Sequence, residues 1–195
     1  MTAPTLTTFE QALLDRLEDQ LHVSNGGPFR AIEPYEGQLA DLIQEEGFDG
    51  PQCWVYIDKG DESWHTESSL DRELEVHLFV AASNYRGSKA RRHGSGAAEF
   101  GTYQLIDSIL ATLGGHDLDL EMQPLRPLGF HSIVAPEMAV KLRASVYRYD
   151  WFAKWTGARP DIEPAAVDHE TSRGTIQSEA GADGAAELET ETEHT

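Results

Sequence analysis

The stretch RELEVHLFVAAS, residues 72–83, constrains this chain more than any other. In it Leu74, Val76, Leu78, Val80 and Ala82 alternate with Glu73, Glu75, His77, Phe79 and Ala81. Successive side chains of a strand point to opposite faces, so one face is wholly apolar while the other begins acidic and turns apolar. A central strand with one covered face is expected. The chain leaves it through Ser83 to Gly87, passes the basic run Lys89, Ala90, Arg91, Arg92, His93, crosses Gly94, Ser95 and Gly96, and enters a helical pattern over 97–113.

The remaining elements arrange themselves around that strand. Thr7 and Glu10 have the spacing of a capping box, and Phe9, Leu13, Leu17 and Leu21 recur every four residues, which predicts a helix over 8–21. Asn25, Gly26, Gly27 and Pro28 end it. A short strand follows over 29–35, confined to an edge or a strand end by Pro34, and then a weaker helix over 37–46 on Leu39, Leu42 and Ile43. Residues 52–57 read as a strand, joined to the central one by a polar, exposed connection over 61–71.

In the second half, the long helix is expected to bury Phe100, Tyr103, Ile106, Leu110 and Leu113, with Leu105 and Ile109 widening the stripe. Gly114 and Gly115 stop it. Residues 122–127 hold too much proline for a central strand, and 130–134 form a short one. A last strand is expected over 138–149, with Met138, Val140, Leu142, Ala144 and Val146 inward, beside the central strand. Trp151, Phe152 and Trp155 close the segment, either completing the core or forming a contact patch for another subunit.

Composition sets the outer bounds. The 195 residues suffice for one domain, and their apolar members confine its core to the first 155 or so. Beyond Pro160 the chain is rich in Ala, Gly, Glu and Thr, too poor in apolar surface to offset its ordering entropy, so the division expected is a domain over 1–157 and a flexible acidic tail over 158–195. No run approaches the roughly 18 apolar residues of a membrane span, and the N-terminus lacks the pattern of a signal peptide. The expectation is a protein that stays in the cytoplasm where it is made. The single Cys53, inside CWVYI, reads as a packed thiol.

A formal net charge of -19 argues against a general nucleic-acid binder. Its distribution is uneven: residues 1–75 hold 17 acidic and 4 basic residues, 76–160 hold 7 and 10, and 161–195 hold 10 and 1. Arg86, Lys89, Arg91 and Arg92 therefore stand out as a candidate contact for a partner's carboxylates or for a polyanion, with backbone N–H groups at the start of the long helix adding to the positive field. The plain alternative is a loop kept soluble by its charges. Gly94, Gly96 and Gly101 suggest a dinucleotide fingerprint, but Glu99 occupies the third glycine's place, so no nucleotide cofactor is expected. Glu73, Glu75 and His77 share a strand face and have metal-ligand chemistry, and Asp61, Glu62, His65 and Glu67 offer the same residue types in the preceding connection, yet neither set comes with a nucleophile or supporting shell. Both read as solvated or interface surface. Ser95, in HGSGA, lacks the first glycine of a nucleophile elbow. Neither an enzyme nor a bound metal or cofactor is expected.

The stretches EPYEGQLADL, PQCWVYI, ELEVHLFVAASNYRG, GAAEFGTYQLIDSILATL and MQPLRPLG together resemble the Mu-like phage family named after gene product 37, whose Mu member is a tail terminator. The resemblance covers residues 6–152. Its most specific pieces are Ala81 to Gly87, as AA-x-N-x-R-G, the Gly101 to Leu105 helix signature, and the turn Leu125, Arg126, Pro127. The acidic extension and the doubled Arg91 and Arg92 depart from it. What the resemblance implies is an α+β fold, a largely antiparallel sheet packed against two or three helices. It also implies a virion protein at the junction of tail and neck, assembled in the host cytoplasm as a ring, a hexamer by analogy with other terminators. The implied partners are further copies of itself, the tail tube, the sheath if the tail contracts, a neck or head-completion protein, and DNA passing through the lumen. Another neck or tail-completion protein is the alternative, and a metal-dependent hydrolase a remote one.

Overall fold

The fold was taken from a computed structural model, which describes residues 3–40, 50–66, 69–83, 87–94 and 100–158. They belong to one compact unit within Met1–Pro160. Of the acidic segment expected to form a tail, Ala158 ends a strand and residues 159–195 lie outside the described residues, as do residues 41–46 of the helix expected over 37–46.

Helix α1, Leu6–Leu21, starts two residues earlier than the sequence pattern suggests. The reciprocal cap is made by Thr5 and Thr8, not Thr7 and Glu10. Thr8 N–H donates to Thr5 Oγ1 at 3.1 Å, and Thr5 N–H donates to Thr8 Oγ1 at 2.8 Å. Phe9, Leu13, Leu14, Leu17 and Leu21 form the buried stripe. A tight reversal then returns the chain, and a Cβ on Gly27 would lie 2.1 Å from the carbonyl carbon of Leu21, so only glycine fits there.

Strand β1, Ala31–Pro34, runs parallel to β2, Gln52–Thr66. Strand β2 pairs antiparallel with β3, Ser69–Ser83, which pairs antiparallel with β5, Ala144–Ala158. Strand β4, Arg126–Ser132, is antiparallel to β5 and completes a five-stranded sheet in the order β1-β2-β3-β5-β4. The central position and the neighbour expected for residues 72–83 are both observed. The polar connection expected over 61–71 is instead mostly strand. Its side chains remain exposed on β2, but backbone pairing to β3 continues as far as Thr66 and Ser69. Backbone ladders need no apolar alternation, and polar cross-strand pairs such as Arg72 with Glu62, at 2.7 Å, supply the side-chain contacts.

Two further boundaries differ. The last strand begins at Ala144, because residues 136–142 form a short helix, α4, with Pro136 in its first turn and Arg143 ending it at φ 53°. Alternation over Met138, Val140 and Leu142 is too short to separate a strand from a helix, and proline at the first helical position favours the helix. Strand β4 begins at Arg126, with Pro127 accommodated on an edge beside an irregularity in pairing before Gly129.

Helices α1 and α3, Thr102–Leu113, cover one face of the sheet. The core there contains Cys53 and Val55 of β2, Leu74 through Ala82 at alternate positions of β3, and Tyr149, Trp151, Ala153 and Trp155 of β5. Trp155 stacks on Phe9 with ring centroids 5.3 Å apart, so the closing tryptophans finish the core. In α3 the buried set is Thr102, Leu105, Ile106, Ile109 and Leu113; Leu110, expected inward, is exposed. A smaller cluster on the other face gathers Trp54, Ala81, Val134 and Val146 with Tyr35, Phe79 and Leu142. The rest of that face has no helix over it among the described residues. No described helix is long and apolar enough to cross a membrane.

Candidate assembly interface

The basic run after β3 is not a loop: residues Ser88–His93 form the short helix α2. Gly101 lies so close to its end that a Cβ would meet the Gly94 nitrogen at 2.2 Å and the Arg92 carbonyl at 2.5 Å. That approach divides the expected patch. Lys89, Arg92 and His93 are exposed, whereas Arg91 is only 5% exposed. The Arg91 carbonyl lies 3.1 Å from Thr102 Oγ1 and 3.3 Å from Ser145 Oγ, and the two hydroxyls also meet, so one donates to the carbonyl and the other to its neighbouring hydroxyl. Arg91 thus belongs to the junction of α2, α3 and β5, and the surface patch is reduced to Lys89 and Arg92. Arg86 lies outside the described residues. At the start of α3, Gly101 N–H donates to Gln104 Oε1 at 3.0 Å.

Beside this patch is an aromatic group that the sequence reading did not assemble. His93 meets Tyr103 edge-on at 5.2 Å, and Tyr103, Phe130 and Tyr147 surround one another with centroids 5.7 to 6.2 Å apart. Burial, then the hydrogen bond with Tyr103, pushes the Tyr147 phenol up to about 12, with Arg92 pulling slightly the other way. These residues come from α2, α3, β4 and β5, so no local pattern announces them.

The sheet face opposite α1 and α3 has a polar ladder. His77, 3% exposed, places Nδ1 2.7 Å from Asp150 Oδ1 and Nε2 3.2 Å from Asp58 Oδ2, while Arg148 forms an ion pair with Asp150 and donates from Nη2 to its Oδ2 at 3.3 Å. Asp58, Glu75 and His77 bring one ligand atom each within 4.8 Å of one another, the described set nearest to a metal-binding arrangement. Glu73, expected beside Glu75 and His77, is instead held by Lys154 at 2.6 Å, and that bond holds the Lys154 ammonium above its usual range. Of the other expected set, Glu62 meets Arg72, and His65 lies 3.4 Å from Asp71; Glu67 lies outside the described residues. Thr156, hydrogen-bonded at 2.5 Å, lowers the Asp71 carboxyl. The pairs tie β2, β3 and β5 together across that face.

A family model described as "Bacteriophage Mu, Gp37" matches residues 5–156. Comparison with curated proteins gave no match. The matched span contains all of the described helices and four of the five described strands, and reaches to within two residues of the end of β5. With an antiparallel-dominated α+β fold of the expected kind beneath it, the chain belongs to the bacteriophage Mu Gp37 family, and is a structural, non-catalytic protein of the phage tail and neck region.

Proposed function

We propose that this protein is the tail terminator: a ring of identical subunits, six by analogy with other terminators, that closes the finished tail tube and offers its opposite face to the neck of the head. The observation that carries this reading is the family match across residues 5–156. In a contractile tail the same ring would also hold the end of the sheath. Function is then stoichiometric binding, and a ring multiplies each subunit's contacts through effective concentration.

Within that role Lys89 and Arg92, with Arg86 near them in sequence, are assigned to docking on carboxylates of an adjoining tail or neck protein. A surface guanidinium and ammonium in an otherwise acidic chain suit such a partner, and Arg92 can pair with a carboxylate through two parallel bonds.

The test is made in a producing phage. Deleting the gene should yield tubes of uncontrolled length and few joined heads, with rescue by the intact gene. Tubes of normal length that merely fail to join heads would instead identify a neck or completion factor. Reversing Lys89 and Arg92 to Glu should leave tubes correctly terminated but unjoined. Normal joining with abnormal DNA ejection would move the patch to the lumen, and fully wild-type particles would remove its role.

A further inference from the structure

We propose that adjacent subunits join edge to edge, β4 of one chain pairing antiparallel with the outer half of β2 of the next, so that the sheet continues across the interface. This deepens the ring reading above and rests on it. An open sheet has two edges, and among the described residues neither β4 nor the outer half of β2 has a further strand beside it. On the β1 side, among the described residues, no strand pairs with β2 over residues 56–63, which leaves that stretch as an edge. At the other side all seven residues of β4 are exposed. Such edges present rows of unused N–H and C=O groups and recruit other strands unless they are guarded. These two are thinly guarded. Pro127 and the irregularity after it blunt one end of β4, but Leu128 and Phe130 stand 58% and 50% exposed beside it, and Trp64 on β2 is 63% exposed.

Direction and charge select the pairing. Three successive antiparallel pairs, β2 with β3, β3 with β5 and β5 with β4, make β4 run opposite to β2. A neighbouring copy placed in the same orientation therefore meets β2 with an antiparallel strand, without being turned over. Residues 56–63 contain Asp58 and Asp61 against Lys59, Glu62 being held by Arg72, whereas 122–136 contain Arg126 and His131 and no carboxylate. Joining β4 to β4, or β2 to β2, sets like against like; joining β4 to β2 sets opposite charges together. A contact between two different surfaces is heterologous, the kind that closes into rings when the rotation permits.

The experiment is cross-linking with a short bismaleimide, on purified protein and on assembled tails. Ser63→Cys on β2 and Leu128→Cys on β4 together should give a ladder of species ending at one closed ring, while either substitution alone gives none. Buried Cys53 provides the silent background. Arg126→Glu should reduce the ladder about tenfold by placing like charges across the interface, and Asp61→Arg in the same chain should restore it. Leu128→Cys alone cross-linking to itself would overturn the proposal in favour of a two-fold contact. A ring seen by mass or in tails, but never cross-linked at these positions, would overturn the edge pairing and leave the ring reading standing. No ring in either preparation would overturn both.

Discussion

Replacing Leu78 by Ala tests the two-faced reading of the sheet at its centre. Leu78 is fully buried in the middle strand, opposite Val55 on β2 and Tyr149 on β5, in the core beneath α1 and α3. Strands on both sides prevent the backbone from collapsing into the vacated space. The loss then combines transfer and cavity costs, which places it at about 3–4 kcal/mol. For a domain of this size each kcal/mol lowers the thermal midpoint by roughly 2–4 °C, so a fall on the order of 10 °C is expected. Its neighbour Phe79 points the other way, half-buried against Tyr35 with centroids 4.7 Å apart in the smaller cluster. Phe79→Ala should cost less, about 1–2 kcal/mol, because part of that ring already meets solvent. Both are measured by urea titration followed by circular dichroism, with the slope of the transition unchanged. A loss below about 1 kcal/mol at Leu78, or a larger loss at Phe79 than at Leu78, would refute the assignment of faces.

His77→Ala removes the one side chain that serves both Asp58 and Asp150, so about 1–3 kcal/mol should be lost in the same urea titration, whereas Lys154→Met at the more exposed Glu73 pair should barely move the midpoint. Burial pushes the Cys53 thiol from about 9 up to about 12, so it should resist maleimide at pH 8 in the native protein and react once unfolded. The sign of the linkage follows: the folded state keeps its proton where the unfolded state has lost it, so the Cys53 contribution is intact below pH 9 and declines from there towards pH 12, read as a falling thermal midpoint. Removing residues 161–195 should leave the midpoint within a few degrees, since that segment offers little apolar surface to a core; collapse of the fold would show that it packs.

The sequence by itself determined the elements in which period and chemistry agree over enough residues. Ten residues of strict alternation placed β3 at the centre with the right face inward, four-residue spacing placed α1, and the pieces around Ala81 to Gly87 and Gly101 to Leu105 carried the family. Tertiary structure decided what short or polar segments do. Residues 136–142 alternate like a strand but begin with proline and fold as a helix; residues 61–66 look like a loop and are strand, because a neighbouring backbone supplies the ladder. The basic run shows the same limit at the candidate site. Lys89, Arg91 and Arg92 are alike in sequence, yet the close approach of Gly101 puts Arg91 inside and leaves Lys89 and Arg92 at the surface. Aromatic contacts among His93, Tyr103, Phe130 and Tyr147, and the two edges of the sheet, involve residues far apart in the chain. Local pattern reports which face of an element prefers the core; which elements become neighbours, and which edge is left without one, depends on the packing of the whole domain.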